Sequence, residues 1–395
     1  MKKILFDFLP FQDEMINGGT LFTRKILIEL SKYDDIEIIG VCLDKTKINN
    51  KLFGIDKIGE FQIIEIKELK NFVEENKIQS FFIGISARYN SINLCDIPCN
   101  IYIFCHDLTD FSMSRAGIYE DMDFDRYKFH LKLNQVKCIK LKVLKKIAKN
   151  LIKNKSMYLC RTKKIKLIKK LKFSNFDKLI KRKNVFVLTV SEYSKNSLNY
   201  YFDGIYNEIQ VFWPPEEIFE EKPTQVNLDS LNGKPYFLLL SVNRYNKNLF
   251  IFYNVFEKWN KMHDNAFSCV LVGIDSIDLP NSKCLKYVSD DELIFLLKNC
   301  YALVYPSLAE GFGSPPVECM KYEKPVIAGF DTSIPEVCGD DALLFNPLYE
   351  EDLFYKQNLL FENYNKYSEL AKNRYKEISK KQKEDLEKLI NLIKN

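Results

Sequence analysis

The chain has 395 residues, 46% of them hydrophobic and 28% charged, with 58 Lys and Arg against 53 Asp and Glu for a formal net charge of +5. At about 100 to 200 residues per domain, this length accommodates two domains with ample core. No run of 18 apolar residues argues for a membrane-crossing helix, MKKILFDFLPFQDE meets charge too early for a signal peptide, and 11 cysteines without C-x-x-C pairs read as reduced core thiols, so a cytoplasmic protein is expected, peripheral at most on the inner face of the plasma membrane.

Met1 to Leu9, MKKILFDFL, predicts a first strand. A loop then leads to Asn17-Gly18-Gly19-Thr20 and an amphipathic helix over Leu21 to Leu30. No full G-x-G-x-x-G is present, so a nicotinamide-binding fingerprint is not supported. Ile101 to Cys105 predicts another strand, with His106-Asp107-Leu108 after it. Of the three histidines, one at a strand's end beside an aspartate is a better site candidate than His130 or His263. A histidine that caps the loop, its ring bonded to backbone, fits the same pattern, and Asp107 could orient the ring. Asp121-Met122-Asp123 has an Asp-x-Asp form that could hold a divalent metal, but YEDMDFDRYKF is polar and follows no apolar strand. No metal and no cofactor are expected.

Between Leu131 and Lys183 stand 20 Lys and Arg against one acid, Asp177, so this segment carries +19 and the remainder −14. Val136, Ile139, Val143, Ile147 and Leu151 recur at helical spacing within it. Such a helix suits an anionic membrane surface. A solvated helical hairpin packing its stripe on the core is the competing reading. Nucleic acid is disfavoured because no recognition module accompanies the charge. Val185 to Val190 predicts a strand, with Ser191 as helix N-cap rather than catalyst. The proline-rich WPPEEIFEEKPTQ at 213–225 opens an interdomain linker placed at 213–234.

Pro235 to Val242, PYFLLLSV, is an apolar strand, so Arg244 and Lys247 project from a loop at its carboxyl end. Two cations three residues apart can flank a diphosphate. As an isolated pair they equally suit a solvated basic turn. Ala302 to Pro306 then predicts a buried parallel strand, Pro316 to Tyr322 the start of a helix, and Pro325 to Ala328 the next strand. The intervening turn carries Glu310, Gly311, Phe312 and Gly313, and the glycine spacing suggests close backbone approach or positive φ. Ligands of open α/β sheets bind beyond the carboxyl ends of strands, where helix-start N–H groups favour an anion. Glu318, expected in the helix's first turn, could accept two ribose hydroxyls or merely complement the helix dipole.

The stretch EGFGSPPVE, continued by PVIAGFDTSIPEVCGDDALLFNP, resembles the E-x7-E signature of the retaining GT-B glycosyltransferases of family 4 over about 45 residues. Ser314 departs from the apolar residue usual there. The resemblance implies an α/β GT-B fold, two Rossmann-like domains facing across a cleft, with a C-terminal helix crossing back. Domains are expected at 1–212 (with 131–183 as a basic insertion) and 235–370, and the returning helix at 371–395. It also implies donor-binding roles for Gly18, Gly19, Arg244, Lys247, Glu310, Gly311, Phe312, Gly313 and Glu318. His106, Arg244, Lys247 and Glu310 would act in catalysis: the two cations on the phosphates, Glu310 on the sugar's hydroxyls and His106 on the sugar from the opposite wall.

The implied reaction moves a sugar from a nucleoside-diphosphate sugar to the hydroxyl of a glycan or lipid-linked glycan, with retention. No second carboxylate is placed by the sequence as a covalent nucleophile. A front-side displacement therefore asks least of the protein. Two other classes stay open on the same fold, a non-catalytic partner subunit and a sugar-nucleotide epimerase.

Overall fold

The computed structural model describes residues 1–14, 17–108, 111, 166, 168–216 and 223–394. They form two compact units, one from residues within 1–108, 167–218 and 379–395 and the other from residues within 109–166 and 219–378.

In the first unit the chain runs β1 (Lys2–Asp7), α1 (Gly18–Leu30), β2 (Ile36–Cys42), α2 (Asn50–Phe53), β3 (Gln62–Glu65), α3 (Leu69–Asn76), β4 (Ser80–Ile83), β5 (Asn100–Cys105), α4 (Ser174–Leu179), β6 (Val185–Thr189), α5 (Glu192–Tyr201) and β7 (Gln210–Val211). The strands lie in the order β3-β2-β1-β4-β5-β6-β7, every pair parallel. Parallel strands are covered on both faces and therefore read as continuous apolar runs. Ile4-Leu5-Phe6, Phe81-Phe82-Ile83 and Ile101 to Cys105 are all buried. The first helix begins at Gly18, three residues before the expected start, because the Asn17 side chain accepts from Thr20 N at 3.1 Å and caps it. Both glycines are therefore in its first turn. Ser191 caps α5 as expected, its hydroxyl accepting from Ser194 N at 3.1 Å.

The second unit runs β8 (Tyr236–Leu239), α6 (Leu249–Met262), β9 (Ser268–Val272), β10 (Ser282–Leu285), α7 (Asp290–Asn299), β11 (Ala302–Tyr305), α8 (Ser314–Lys321), β12 (Val326–Gly329), α9 (Ile334–Cys338), β13 (Leu343–Phe345), α10 (Glu350–Glu362) and α11 (Tyr364–Lys394). Its parallel sheet has the order β10-β9-β8-β11-β12-β13. Phe237, Phe252, Phe256, Trp259 and Phe267 fill the core beside it, with Phe237 edge-on to Trp259 at 5.5 Å. The helix expected from Pro316 starts instead at Ser314, since proline is tolerated in a first turn where its missing N–H has no intrahelical acceptor. That places Glu318 in the second turn and weakens the dipole reading of it.

The last helix, α11, belongs to the second unit through Ile378 and to the first from Ser379 onward. In the second unit Arg374 donates to the carbonyls of Val337 and Glu336, both at 2.9 Å. In the first, Asp385 accepts from Trp213 N at 3.0 Å and Gln382 donates to Pro214 O at 2.6 Å. The stretch expected to open a linker thus starts as packed chain, with Trp213 only 6% exposed.

The stripe from Val136 to Leu151 and the Asp121-Asp123 pair lie outside the described residues. The end of the basic segment is packed in the first unit: Phe173, Phe176, Leu179 and Ile180 are buried. Arg182 donates to Leu94 O at 3.0 Å and Ile97 O at 3.1 Å, and Asp177 pairs with Lys169 and Lys181, each at 3.2 Å. Among the described residues no helix is long and apolar enough to cross a membrane.

Candidate functional site

In the second sheet the chain leaves β8 toward β9 on one side, then returns to add β11 on the other. The reversal opens a crevice at the carboxyl ends of β8 and β11, the position where such sheets hold ligands. The loops after those two strands carry Arg244 to Asn248 and Pro306 to Gly313.

Lys247 and Glu310 join the two loops. The ammonium is 2.6 Å from Glu310 Oε1 and 2.5 Å from the Tyr305 hydroxyl, and lies 4.4 Å from the centre of the Tyr305 ring. Glu310 Oε1 also accepts from the Ser307 hydroxyl and from Asn246 Nδ2, the latter at 3.3 Å. Three donors thus converge on one carboxylate oxygen, leaving Oε2 without a hydrogen bond among the described residues. The main chain is fixed as firmly: Glu310 N donates to Thr332 Oγ1 at 2.9 Å, and Ser333 Oγ donates to the carbonyls of Glu310 and Phe312 at 3.2 and 3.1 Å. Burial lowers the Lys247 pKa, opposed by the Glu310 charge.

Gly313 has φ +98°, and a Cβ there would lie 2.5 Å from Ile334 Cδ1. The close approach expected of the glycines is therefore realised at Gly313. Of the four unbonded N–H groups a helix start offers, prolines 315 and 316 supply none, so Gly313 and Ser314 supply those of α8. Arg244 is exposed and makes no ion pair among the described residues. Glu318 is half-buried and receives no hydrogen bond among them. Burial, and then the charge of Asp290, push its carboxyl up to about 7. The second unit therefore presents an uncommitted cation, a carboxylate oxygen fixed by its partner oxygen, and a carboxyl group that titrates near neutrality.

The first sheet reverses between β1 and β4. Asp7 ends β1 and is fully buried. Its Oδ1 accepts from Leu9 N at 3.0 Å and the Tyr89 hydroxyl at 2.7 Å, its Oδ2 from Gly84 N at 3.2 Å and Ile85 N at 3.4 Å. Burial outweighs these donors and pushes its pKa up to about 7. His106 directly follows β5, half-buried against the rings of Phe22 and Phe104, with Nε2 2.8 Å from Gly84 O. Burial lowers its pKa and so favours the neutral ring. A Cβ on Gly19 would lie 2.9 Å from Ile85 Cδ1, whereas one on Gly18 would meet nothing within 4 Å. Gly19 and His106 thus meet the same turn after β4.

Lys247 and Glu310 are joined directly, Gly311, Phe312 and Gly313 share their loop, and Glu318 stands on the helix that follows. Gly18, Gly19 and His106 gather in the first unit. Sequence reasoning missed Asn246, Tyr305, Ser307, Thr332 and Ser333, which hold the Glu310 loop, and Asp7, which holds the first unit's turn. For Asp7 a signal existed, a lone acid in the apolar strand MKKILFDFL.

Residues 221–377 match the family model described as glycosyl transferases group 1. The serotype-specific mannosyltransferase WbdA of Escherichia coli is 36% identical over 95 residues, which cover 24% of this chain and 12% of that protein. The O-antigen chain mannosyltransferase RfbU of Salmonella typhimurium is 32% identical over 177 residues, 41% of this chain and 46% of that protein. The chain therefore spans less than half the length of either relative. The crystal structure of Anabaena HepE in complex with UDP-glucose superposes with a TM-score of 0.62 at 14% identity, covering 100% of this chain and 98% of that one. Such low identity speaks for the fold alone. The two parallel sheets thus have the GT-B fold, and the part of it at residues 221–377 is similar to the glycosyl transferases group 1 family.

Proposed function

We propose that the protein is a retaining, metal-independent glycosyltransferase of family 4, moving a sugar from a nucleoside-diphosphate donor to an acceptor hydroxyl in surface polysaccharide or glycolipid assembly. The observation that carries this reading is the Lys247–Glu310 pair, which spans the β8/β11 crevice while the side chains of Arg244 and Glu318 make no hydrogen bond among the described residues. Arg244 and Lys247 bind the donor's diphosphate together with the Gly313 and Ser314 N–H groups. Glu318 accepts the ribose hydroxyls, and Glu310 Oε2 accepts a hydroxyl of the sugar. Gly18, Gly19 and His106 contribute to recognition of the sugar.

In the chemical step the bond from the anomeric carbon to the phosphate oxygen breaks, and the acceptor oxygen bonds to the same face. The acceptor's proton passes to the departing phosphate oxygen. Charge grows on the leaving nucleoside diphosphate, where the two cations stabilise it. They supply the neutralisation that a divalent metal provides elsewhere. The names of the relatives make a nucleoside-diphosphate mannose the first donor to try and a glycan or lipid-linked glycan the first acceptor.

Product analysis by ¹H NMR tests the reading. A glycoside with the donor's anomeric configuration, one equivalent of nucleoside diphosphate, and a rate unchanged by EDTA are expected. An isomerised nucleotide sugar, an inverted glycoside, or activity lost to EDTA and restored by Mn²⁺ each contradict it.

A further inference from the structure

The turn Gly84-Ile85 after β4 is gripped from three elements. From β1, Asp7 Oδ2 accepts both of its N–H groups. From α1, Thr23 packs so close that a Cβ on Gly84 would lie 2.1 Å from its Oγ1, and that hydroxyl donates to Gly19 O at 2.8 Å. From the end of β5, His106 Nε2 meets Gly84 O. The Gly84 carbonyl and the Ile85 N–H belong to one peptide group and, the bond being trans, point in opposite directions. A single planar unit therefore separates the Asp7 carboxylate on one side from the imidazole on the other. Hydrogen bonds in such a chain polarise one another, since charge drawn toward the N–H strengthens the carbonyl as an acceptor.

A carbonyl oxygen only accepts, so the neutral His106 ring carries its proton on Nε2. Its Nδ1 then holds a lone pair, to which no described residue donates. We propose that Asp7 is a positioning residue: through the Gly84–Ile85 peptide it fixes His106 in the Nε2–H tautomer, so that Nδ1 serves as a hydrogen-bond acceptor toward a substrate hydroxyl. This rests on the reading of the protein as a glycosyltransferase for what Nδ1 meets, but not for the tautomer. The arrangement explains a buried acid within an apolar strand and the need for glycine at position 84. It also gives the sugar side of the reaction a neutral acceptor rather than a cation.

The test is long-range ¹H–¹⁵N NMR of the full chain labelled on histidine, which has three such residues. In the wild type at pH 8, where Asp7 is ionised, His106 is expected to show a protonated Nε2 and an unprotonated Nδ1. In Asp7→Asn an amide NH₂ faces the two backbone N–H groups in place of an oxygen, or the flipped amide opposes Leu9 N and Tyr89. Either way the turn shifts and the His106 signature moves toward a mixture of tautomers. Turnover, where a donor has been found, drops at least ten-fold in kcat with KM changed less than three-fold. Tyr89→Phe keeps both bonds to Oδ2 and should keep the wild-type signature. An Nδ1-protonated or cationic His106 in the wild type overturns the proposal even if Asp7→Asn does not fold. So does a folded Asp7→Asn with an unchanged signature. Because the spectrum is read without turnover, a protein that transfers no sugar leaves this result standing, and a wrong tautomer leaves the transferase reading standing.

Discussion

The Lys247–Glu310 pair sets up a double-mutant cycle with a worked outcome. Lys247→Met leaves Glu310 with the Ser307 hydroxyl and the Asn246 amide but no counter-charge. Removing one member of a buried pair costs about 3–5 kcal/mol, and a side chain still 15% exposed with two remaining donors belongs at the lower end. Glu310→Gln strands Lys247, whose pKa burial already lowers. The lysine can shed its proton and limit the loss to about 2 kcal/mol. The double variant leaves no unpaired charge and should lose only about 2–3 kcal/mol, so a coupling of about 2–3 kcal/mol is expected. Urea unfolding followed by Trp259 fluorescence in a Trp213→Phe background isolates the second unit, since the chain has two tryptophans, one in each unit. Single losses that add to within about 0.5 kcal/mol would refute the argument.

Glu318 titrates near 7, and a carboxylate accepts two ribose hydroxyls better than a carboxylic acid. Affinity for a nucleotide sugar should therefore rise about ten-fold from pH 6 to pH 8, as the ionised fraction grows. Glu318→Gln should bind more weakly by about 1.5–3 kcal/mol with that pH dependence gone, and calorimetry at both pH values checks it. Gly18→Ala should keep its melting temperature, since its Cβ meets nothing within 4 Å, yet lose turnover; full activity would remove the glycine pair from the site. Gly313→Ala, at φ +98°, should lose about 1–3 kcal/mol of stability in the same unfolding assay. Replacing Lys142, Lys145, Lys146 and Lys149 with glutamine should abolish co-sedimentation with phosphatidylglycerol vesicles at low salt, where the screening length exceeds the about 8 Å of physiological ionic strength; equal binding to neutral and anionic vesicles, or to none, would point to the solvated hairpin instead.

The strand–turn–helix units were legible because buried parallel strands write themselves as short apolar runs, PYFLLLSV and ALVYP among them, and the residues after each mark a loop at a carboxyl end. Arg244, Lys247, Glu310 and the glycines could be assigned to such loops one at a time. What no spacing encodes is which loops become neighbours. Asn246 and Ser307, 61 residues apart, meet at Glu310 only because β11 pairs with β8 instead of following β10 at the sheet's edge. The hold of Thr332 and Ser333 on the same loop likewise depends on β12 lying next to β11. Helix starts at Gly18 and Ser314 came earlier than expected, since Asn17 caps one helix and two prolines mask the first turn of the other.

Binding of a nucleotide sugar in the β8/β11 crevice, between Arg244, Lys247 and Glu318, can be measured by calorimetric titration of the full chain against UDP-, GDP-, ADP- and dTDP-sugars in the presence of EDTA. Saturable one-to-one binding of at least one of them is expected, abolished by Arg244→Ala and weakened by Glu318→Gln in proteins that remain folded. Binding that requires a divalent metal, or that both variants leave unchanged, would contradict it.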